Sequence, residues 1–555
     1  MTKLHQYVIG LSLLVSVQSF AQKPLAKPYS FTNLPVVALP VFKKDTVSIL
    51  KYGAKSDGIT LNTKSINTAI ADCSKKGGGV VLIPAGFWLI GPIELKSNVN
   101  LHLQKNALLQ LTKDFSQYEM TKSNWEGIEQ MRNQSPVWAT NQTNIAITGY
   151  GVIDGAGDAW RMVKKDKLTD NQWKKLVASG GLLSEDKKVW YPSEKAFKGN
   201  KTKDAGAITP DRTPEYYDSI KDFLRPNLLV LTNCKRILLE GVTFQNSPAW
   251  NMHPLMCEDL TIRNVYAKNP WYAQNGDGLD IESCKNVLVE GSTFDVGDDG
   301  ICIKSGRDAA GRKRGMPTEN VIIRNSTVYH AHGGFVIGSE MSGGAKNIFI
   351  TDCTFVGTDI GLRFKTTRGR GGVVEKIFAK DIVMKDIAGE AILFDMYYAA
   401  VDPVPLSGEN RAAPKVQLLP VTEETPVFKD FHISNIVCDG AAKAIFVRGL
   451  PEMAISDIYL DHIIIQATEG VDIQEAKNIQ LSDVQIHSKN NNPLFSIQNG
   501  NSIGLSNIKF DKADLLFKIS GPNSAKISLT GTDAAKAAQK AVYTDGATAQ
   551  SLTIK

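Results

Sequence analysis

The sequence predicts an all-β chain: a right-handed parallel β-helix carrying long loop insertions. Three observations support that expectation. First, one phrase recurs in one orientation: CKRILLEGVTFQN from Cys234, CEDLTIRNVYAKN from Cys257, CKNVLVEGSTFDV from Cys284, TENVIIRNSTVYH from Thr318, AKNIFITDCTFVG from Ala345 and VEKIFAKDIVMKD from Val374. Further copies begin at Phe428, Ile455 and Ala476, with a weak last one at Asn501. Second, each phrase holds two short runs of period-two alternation, such as Ile237/Leu239 and Val242/Phe244, joined by a polar or glycine turn. That is the pattern of strands with one buried face. Third, the steps Cys257 to Cys284 and Thr318 to Ala345 are both 27 residues, a unit too small to bury its apolar face unless successive coils stack. Hairpins of a β-sandwich would not repeat one phrase in one orientation so often.

In chain order, residues 1–21 place Lys3 before an apolar stretch, Tyr7 to Val17, and end on the small residues Ser19 and Ala21. This reads as a signal peptide for periplasmic or extracellular export, too short to span a bilayer. Residues 22–50 are a lead-in. The β-helix domain is expected over 51–525, entered by YGAKSDGITLNTKSINTAI from Tyr52, with a short amphipathic helix from Thr63. First coils follow from Gly77, and another from Asn144. Residues 156–224, with Trp160, Trp173 and Trp190, break the pattern and read as a long excursion, a candidate wall or lid beside a cleft. Residues 526–555 form a C-terminal tail holding a short helix and a final strand.

Composition narrows the function classes. Hydrophobic residues at 43% and charged residues at 22% are ordinary for a globular chain with a large core. The net charge of +6 suits attraction to a polyanion, yet the basic residues form no dense run and no nucleic-acid motif. No later segment is long and apolar enough for a membrane span. Seven cysteines make no disulfide framework; Cys234, Cys257 and Cys284 hold one place in three coils and read as a stack of small buried residues.

The repeats allow the chain to be aligned with itself. A third strand in each coil follows a glycine: DGLDIES from Asp277, DGICIKS from Asp299, GGFVIGS from Gly333 and IGLRFKT from Ile360. Leu279, Ile301, Phe335 and Leu362 form one buried column, and Ile281, Ile303, Ile337 and Phe364 the next, so the residues between them face outward. Asp280 then shares a column with Arg363, and Lys304 with Lys365. Just before the strands Asp277 aligns with Asp299, and Asp298 with His332. Alone, each acidic pair could be a turn device or a calcium loop; stacked, the residues become one patch across four coils. Carboxylates this close cannot all ionise without cost, so at least one pKa should rise, giving an acid beside ionised bases. That division of labour serves glycosidic hydrolysis, and the planar fork of Arg363 beside Lys365 suits an anionic sugar.

At these residues the sequence resembles glycoside hydrolase family 28, the polygalacturonases, whose fold is the pectin-lyase-like β-helix. The family's NTDG motif stands as Asn275-Gly276-Asp277-Gly278, its DD as Asp298-Asp299, its GHG as Ala331-His332-Gly333, and its RIK as Arg363-Phe364-Lys365. The resemblance runs from about Tyr52 through Tyr398; the departures at Gly276, Ala331 and Phe364 spare every titrating member. It implies that Asp298 is the general acid, that Asp277 and Asp299 position and deprotonate water, and that His332 tunes the acid. Arg363 and Lys365 would bind galacturonate carboxylates. It also implies inversion, a reaction that usually sets its carboxyl groups ~6.5–9.5 Å apart, and it implies no cofactor and no metal.

Neighbouring residues extend the candidate substrate-binding set. Trp250 aligns with Asp277 and His253 with Asp280 one coil earlier; Arg368 and Arg370 lie in the glycine-rich basic loop TTRGRGG, and Tyr397 in the next coil. The expected partner is an acidic polysaccharide or oligosaccharide such as pectic galacturonan. The excursion and the arginine loop could close one end of the groove for exo-action. Competing readings are a hydrolase of rhamnogalacturonan, a calcium-dependent pectate lyase, and a noncatalytic polysaccharide-binding β-helix.

Overall fold

The structure is a computed structural model, and it describes residues 28–398 and 417–555. The signal peptide expected at residues 1–21 lies outside the described residues. Two units are distinguished, Met1–Leu34 and Pro35–Lys555; in the first, Ser30 and Asn33 form an isolated antiparallel bridge. The second unit is a parallel β-helix.

Each coil contributes a strand to three parallel ladders. The first passes through Thr143–Gly149, Lys235–Glu240, Glu258–Arg263, Lys285–Glu290 and Thr318–Arg324. A second passes through Val152–Asp154, Thr243–Gln245, Tyr266–Lys268, Thr293–Asp295 and Thr327–Tyr329. The third, which carries the candidate site, passes through Leu229–Thr232, Met252–Leu255, Leu279–Glu282, Ile301–Lys304, Phe335–Ile337, Leu362–Lys365 and Glu390–Asp395. Its register is the one read from the sequence. Leu279 pairs with Ile301, Ile301 with Phe335 and Phe335 with Leu362, and all four are buried in the core.

The recurring phrase bends at fixed places. Its third residue has positive φ in copy after copy: Arg236, Asp259, Asn286, Asn320, Asn347, Lys376 and Asp430. So does its eighth: Gly241, Asn264, Gly291, Asn325, Asp352, Asp381 and Asn435. Left-handed backbone costs least for Gly, Asn and Asp, which is why polar residues punctuate otherwise apolar runs. Asn347 donates to Asn320 at 3.1 Å and Asn320 to Asn286 at 3.0 Å, so the corner residues also stack into a ladder. Inside, Cys234, Cys257 and Cys284 are free and buried, as expected of a packing stack. Rings of Phe364, Phe394 and Phe431 lie 4.5–4.9 Å apart in the core.

The helix expected from Thr63 runs Thr63–Lys75. Stacking begins earlier and ends later than 51–525. Thr46–Ser48 already pairs with the coil at Val80, and Ala513–Ser520 pairs with Ala537–Thr544 and Ile527 with Leu552 in the last rung. The segment DAAKAAQK is one 3-10 turn running into that strand, not a helix: alternating Ala541 and Tyr543 pack on the core, and burying them as a final rung caps the solenoid's end.

Two segments leave the solenoid beside the third ladder. Met120–Trp125 and Ile128–Asn133 form an antiparallel hairpin with a Glu126-Gly127 turn, both residues at positive φ, the geometry that matches strand twist. The excursion at 156–224 folds into the helices Asp170–Ala178, Glu194–Asn200 and Pro214–Asp218 with a small antiparallel sheet. Its Tyr217, Ile220 and Leu224 pack against Met120 and Met131 of the hairpin. Its Trp173 and Trp190 cluster with Tyr272, three residues before Asn275.

Candidate active site

The strand parity that buries Leu279 and Ile281 turns Asp280 to the outer face, but that face is not open here. Asp277, Asp280 and Asp299 are 3%, 0% and 1% exposed, and the hairpin lies against neighbouring Trp250 and Glu282. One oxygen from each of Asp277, Asp298 and Asp299 lies within 4.8 Å of the others. This is closer than the ~6.5–9.5 Å usual for inversion, because two residues belong to one turn and the third to the coil stacked directly on it.

The charges are distributed unevenly. Lys365 Nζ lies 2.7 Å from Asp299 Oδ2, and Arg363 donates to Asp299 Oδ1 at 3.2 Å. Burial opposes the charge on Asp299, but Lys365, Arg363 and Lys304 together outweigh it and hold this carboxyl well below the usual range. Asp277 has no such partner. Burial, then the charges of Asp280, Asp298 and Asp299, push it well above the carboxylate range, and its Oδ1 has no hydrogen-bond partner. Asp280 is raised mainly by burial, with Lys304, 3.6 Å away, pulling the other way. Lys304 is itself bound to Glu340 at 2.9 Å, which is held at about 2 against its burial, chiefly by Lys304.

Asp298 is half-buried at the groove surface. Its Oδ1 meets His332 Nδ1 at 3.2 Å, and it accepts backbone N–H bonds from Asp299 and Asn275 at 3.0 and 3.3 Å. The hydrogen bond to Asp298 raises the pKa of His332 despite desolvation. Asp359, one rung further on, lies 3.7 Å from the other ring nitrogen. Arg225 fixes the loop behind, binding Asn275 Oδ1, Gln274 O and Pro248 O at 2.9–3.0 Å. Gly276 stands where a Cβ would meet Ala273 at 2.7 Å, so the chain's departure from threonine there follows from a tight local turn. Phe364 faces the core stack, and Ala331 is buried; neither departure reaches the groove.

The structure thus brings Asp277, Asp298, Asp299, Asp280, His332, Lys304, Arg363 and Lys365 together. Other candidates take structural posts. His253 is fully buried, one nitrogen 2.8 Å from Glu282 and the other 3.2 Å from Asn227. It belongs to the sheet's outer packing rather than the groove. Trp250 is 2% exposed, stacked on Trp125 at 5.9 Å with Lys304 over its ring at 4.9 Å; its face is already occupied. Arg368 is clamped by Glu452 at 2.6 and 2.9 Å. Arg370 is bound to Asp308 and to Ser339, and Tyr397 is buried between Arg368 and Arg448. A basic loop flanked by acidic ones pairs internally before it offers charge to a ligand.

Sequence reasoning missed four contributors. Tyr398, not Tyr397, faces the groove, with Lys365 at 4.8 Å and Arg363 at 5.6 Å from its ring. Asp359 lies in the His332 column and could have been found by the same self-alignment. Glu340 could have been sought as the anion a buried Lys304 requires. The hairpin was signalled by Glu126-Gly127 between alternating runs.

Comparison with known proteins agrees with this fold. Residues 218–422 match the family model for Glycosyl hydrolases family 28, and residues 46–212 match that for Rhamnogalacturonase A/epimerase, pectate lyase-like. A probable polygalacturonase of Vitis vinifera is 28% identical over 430 residues, covering 76% of this chain and 74% of its own. An exo-poly-alpha-D-galacturonosidase of Dickeya chrysanthemi is 26% identical over 471 residues, 82% of this chain and 72% of its own. The crystal structure of a hyperthermoactive exopolygalacturonase from Thermotoga maritima superposes with a TM-score of 0.63 at 29% identity, covering 85% and 93% of the two chains. A β-helix with a carboxylate cluster on its third ladder is here a glycoside hydrolase. Residues 218–422, which hold that cluster, are the part of the chain that matches glycoside hydrolase family 28.

Proposed function

We propose that this hydrolase cleaves α-1,4-galacturonosidic bonds of polygalacturonate and pectic oligosaccharides from a chain end, with inversion, after export directed by residues 1–21. The observation that carries the reading is the split among the carboxyls. Asp299 is kept ionised by Lys365 and Arg363, while Asp298 sits at the groove surface with His332 against it. Asp298 protonates the leaving oxygen; Asp299, kept ionised, takes the proton of the attacking water, and Asp277 helps to position that water. Arg363 uses one terminal nitrogen for Asp299 and the His332 carbonyl, leaving donors for a substrate carboxylate. Polygalacturonase relatives on both sides of the kingdom divide support the substrate class.

End-wise action is supported by the hairpin. It is rooted on the excursion through Asn133 to Lys221 and Leu224, both 2.8 Å. It passes over Trp250 and Glu282. Its tip closes on Arg307, which pairs with Glu126 at 3.4 Å. Gly127 packs so tightly that a Cβ would meet the Arg307 nitrogen at 2.6 Å. The hairpin therefore crosses the third ladder from the entry edge of its strands to their exit edge and walls off the groove on the N-terminal side of the carboxylates.

Incubating the protein with a defined oligogalacturonide, with product anomer followed by NMR, tests the substrate, the end-wise action and the inversion. Monomer release with an inverted anomer is expected; an immediate ladder of lengths rejects exo-action. Retention is the second reading, favoured by the short carboxyl separation, and would appear as an unchanged anomer. A calcium lyase is disfavoured because Ca²⁺ takes about six to eight oxygens, whereas Lys365, Arg363 and Lys304 already offset the charge of this cluster; chelator-sensitive, ultraviolet-absorbing products would reverse that.

A further inference from the structure

A second polar hollow, of about 250 Å³, lies further along the same outer face. It is reached by following one register column from the candidate site. Arg363 pairs with Leu393, Leu393 with Phe446, and Phe446 with Asp472; Ser496, another lining residue, pairs with Lys518. At 4.7–4.9 Å per rung, Asp472 is about 14 Å from Arg363 along the solenoid. The hollow is lined by Lys443, Glu469, Asp472, Asn490, Ser496 and Lys518, among others.

Its chemistry is that of a sugar site rather than an ion site. Lys443 is already neutralised by Glu469 at 3.1 Å and Asp472 at 3.7 Å. Asp472 is mostly buried and its pKa is raised by burial, with Lys443 opposing; Gln474 donates to both its oxygens. Asn490 and Ser496 add donors and acceptors for hydroxyls, and Lys518 reaches the hollow from the exposed side, a cation for a carboxylate. Because the hairpin blocks the N-terminal end of the groove, a long polymer held at Asp298 must leave over the C-terminal coils, across this hollow.

We propose that the hollow is a remote subsite for the leaving portion of a long anionic polysaccharide, with Lys518 contacting a uronate carboxylate. This rests on the galacturonan reading above. The site gives long chains an additional hold that short oligosaccharides cannot reach, and so favours repeated attack on one polymer.

The test compares kcat/KM on polygalacturonate with kcat/KM on trigalacturonate, in wild type, Lys518→Glu and Lys518→Arg. Lys518→Glu should lower the polymer-to-trimer ratio by up to about five-fold, the scale of one exposed charge contact, through KM rather than kcat. Lys518→Arg should keep the wild-type ratio. An equal ratio in wild type and Lys518→Glu overturns the subsite while leaving the substrate reading intact. A wild-type protein inactive on both galacturonides overturns the substrate reading and the subsite with it.

Discussion

Lys365 Nζ and Asp299 Oδ2 lie 2.7 Å apart, and both side chains are almost wholly buried. The pair links two coils that are not adjacent, since Phe335–Ile337 stacks between their strands. Lys365→Met removes the largest influence favouring the Asp299 charge. The Asp299 pKa then rises, so the acid limb of the kcat/KM profile should move to higher pH. Activity at the optimum should fall by about 10²-fold or more. A limb that stays in place would show that Asp299 is not the ionised base.

Asp298→Asn removes the donor to the leaving group. We expect kcat to fall by about 10²–10⁴-fold while equilibrium binding of an oligogalacturonide persists, measured by calorimetry. Full activity in this variant would show that Asp298 is not the general acid. His332, whose pKa is raised by its hydrogen bond to Asp298, contributes through its charged form below the ordinary histidine pKa. That contribution disappears as pH climbs through the raised value. His332→Ala should therefore change the alkaline limb more than the acid limb.

Asp277 and Asp280 carry raised pKa values, so the folded protein binds more protons there than the unfolded chain. Their contribution to stability falls as pH rises above the unfolded carboxyl pKa, toward the raised folded value. Asp280→Asn should raise Tm at pH 7 relative to wild type, and the gain should shrink near pH 4. A Tm lowered equally at both pH values would contradict the raised pKa.

Glu340 behaves oppositely. Held at about 2, it stabilises the fold above the unfolded glutamate pKa, and that contribution is lost as pH falls toward 2. Glu340→Gln strips Lys304 of its 2.9 Å partner and should cost about 3–5 kcal/mol, read from urea unfolding at pH 7.

The hairpin latch predicts a change of product rather than of rate alone. Glu126→Ala with Arg307→Ala removes the 3.4 Å pair at the tip. If the hairpin walls the groove, intermediate-length oligomers should appear early in digests of a long oligogalacturonide. Unchanged monomer-only release would assign the end wall to another segment.

The sequence by itself determined the solenoid and its register. A side chain's face in a strand is set by parity, and stacking admits one alignment of the buried columns, so Leu279, Ile301, Phe335 and Leu362 forced Asp277, Asp298, Asp299, His332, Arg363 and Lys365 into one patch. What parity cannot say is which outward positions are roofed and which charges meet. Only the tertiary structure buried Asp280, gave Lys365 to Asp299 rather than to solvent, and turned Tyr398 instead of Tyr397 over the groove. It also placed His253 and Arg368 in internal pairs. The pairs join side chains of different coils, Lys365 to Asp299, His253 to Glu282 and Arg368 to Glu452, and the hairpin reaches Trp250 and Glu282 from far along the chain. Those contacts follow no period, so no repeat could announce them.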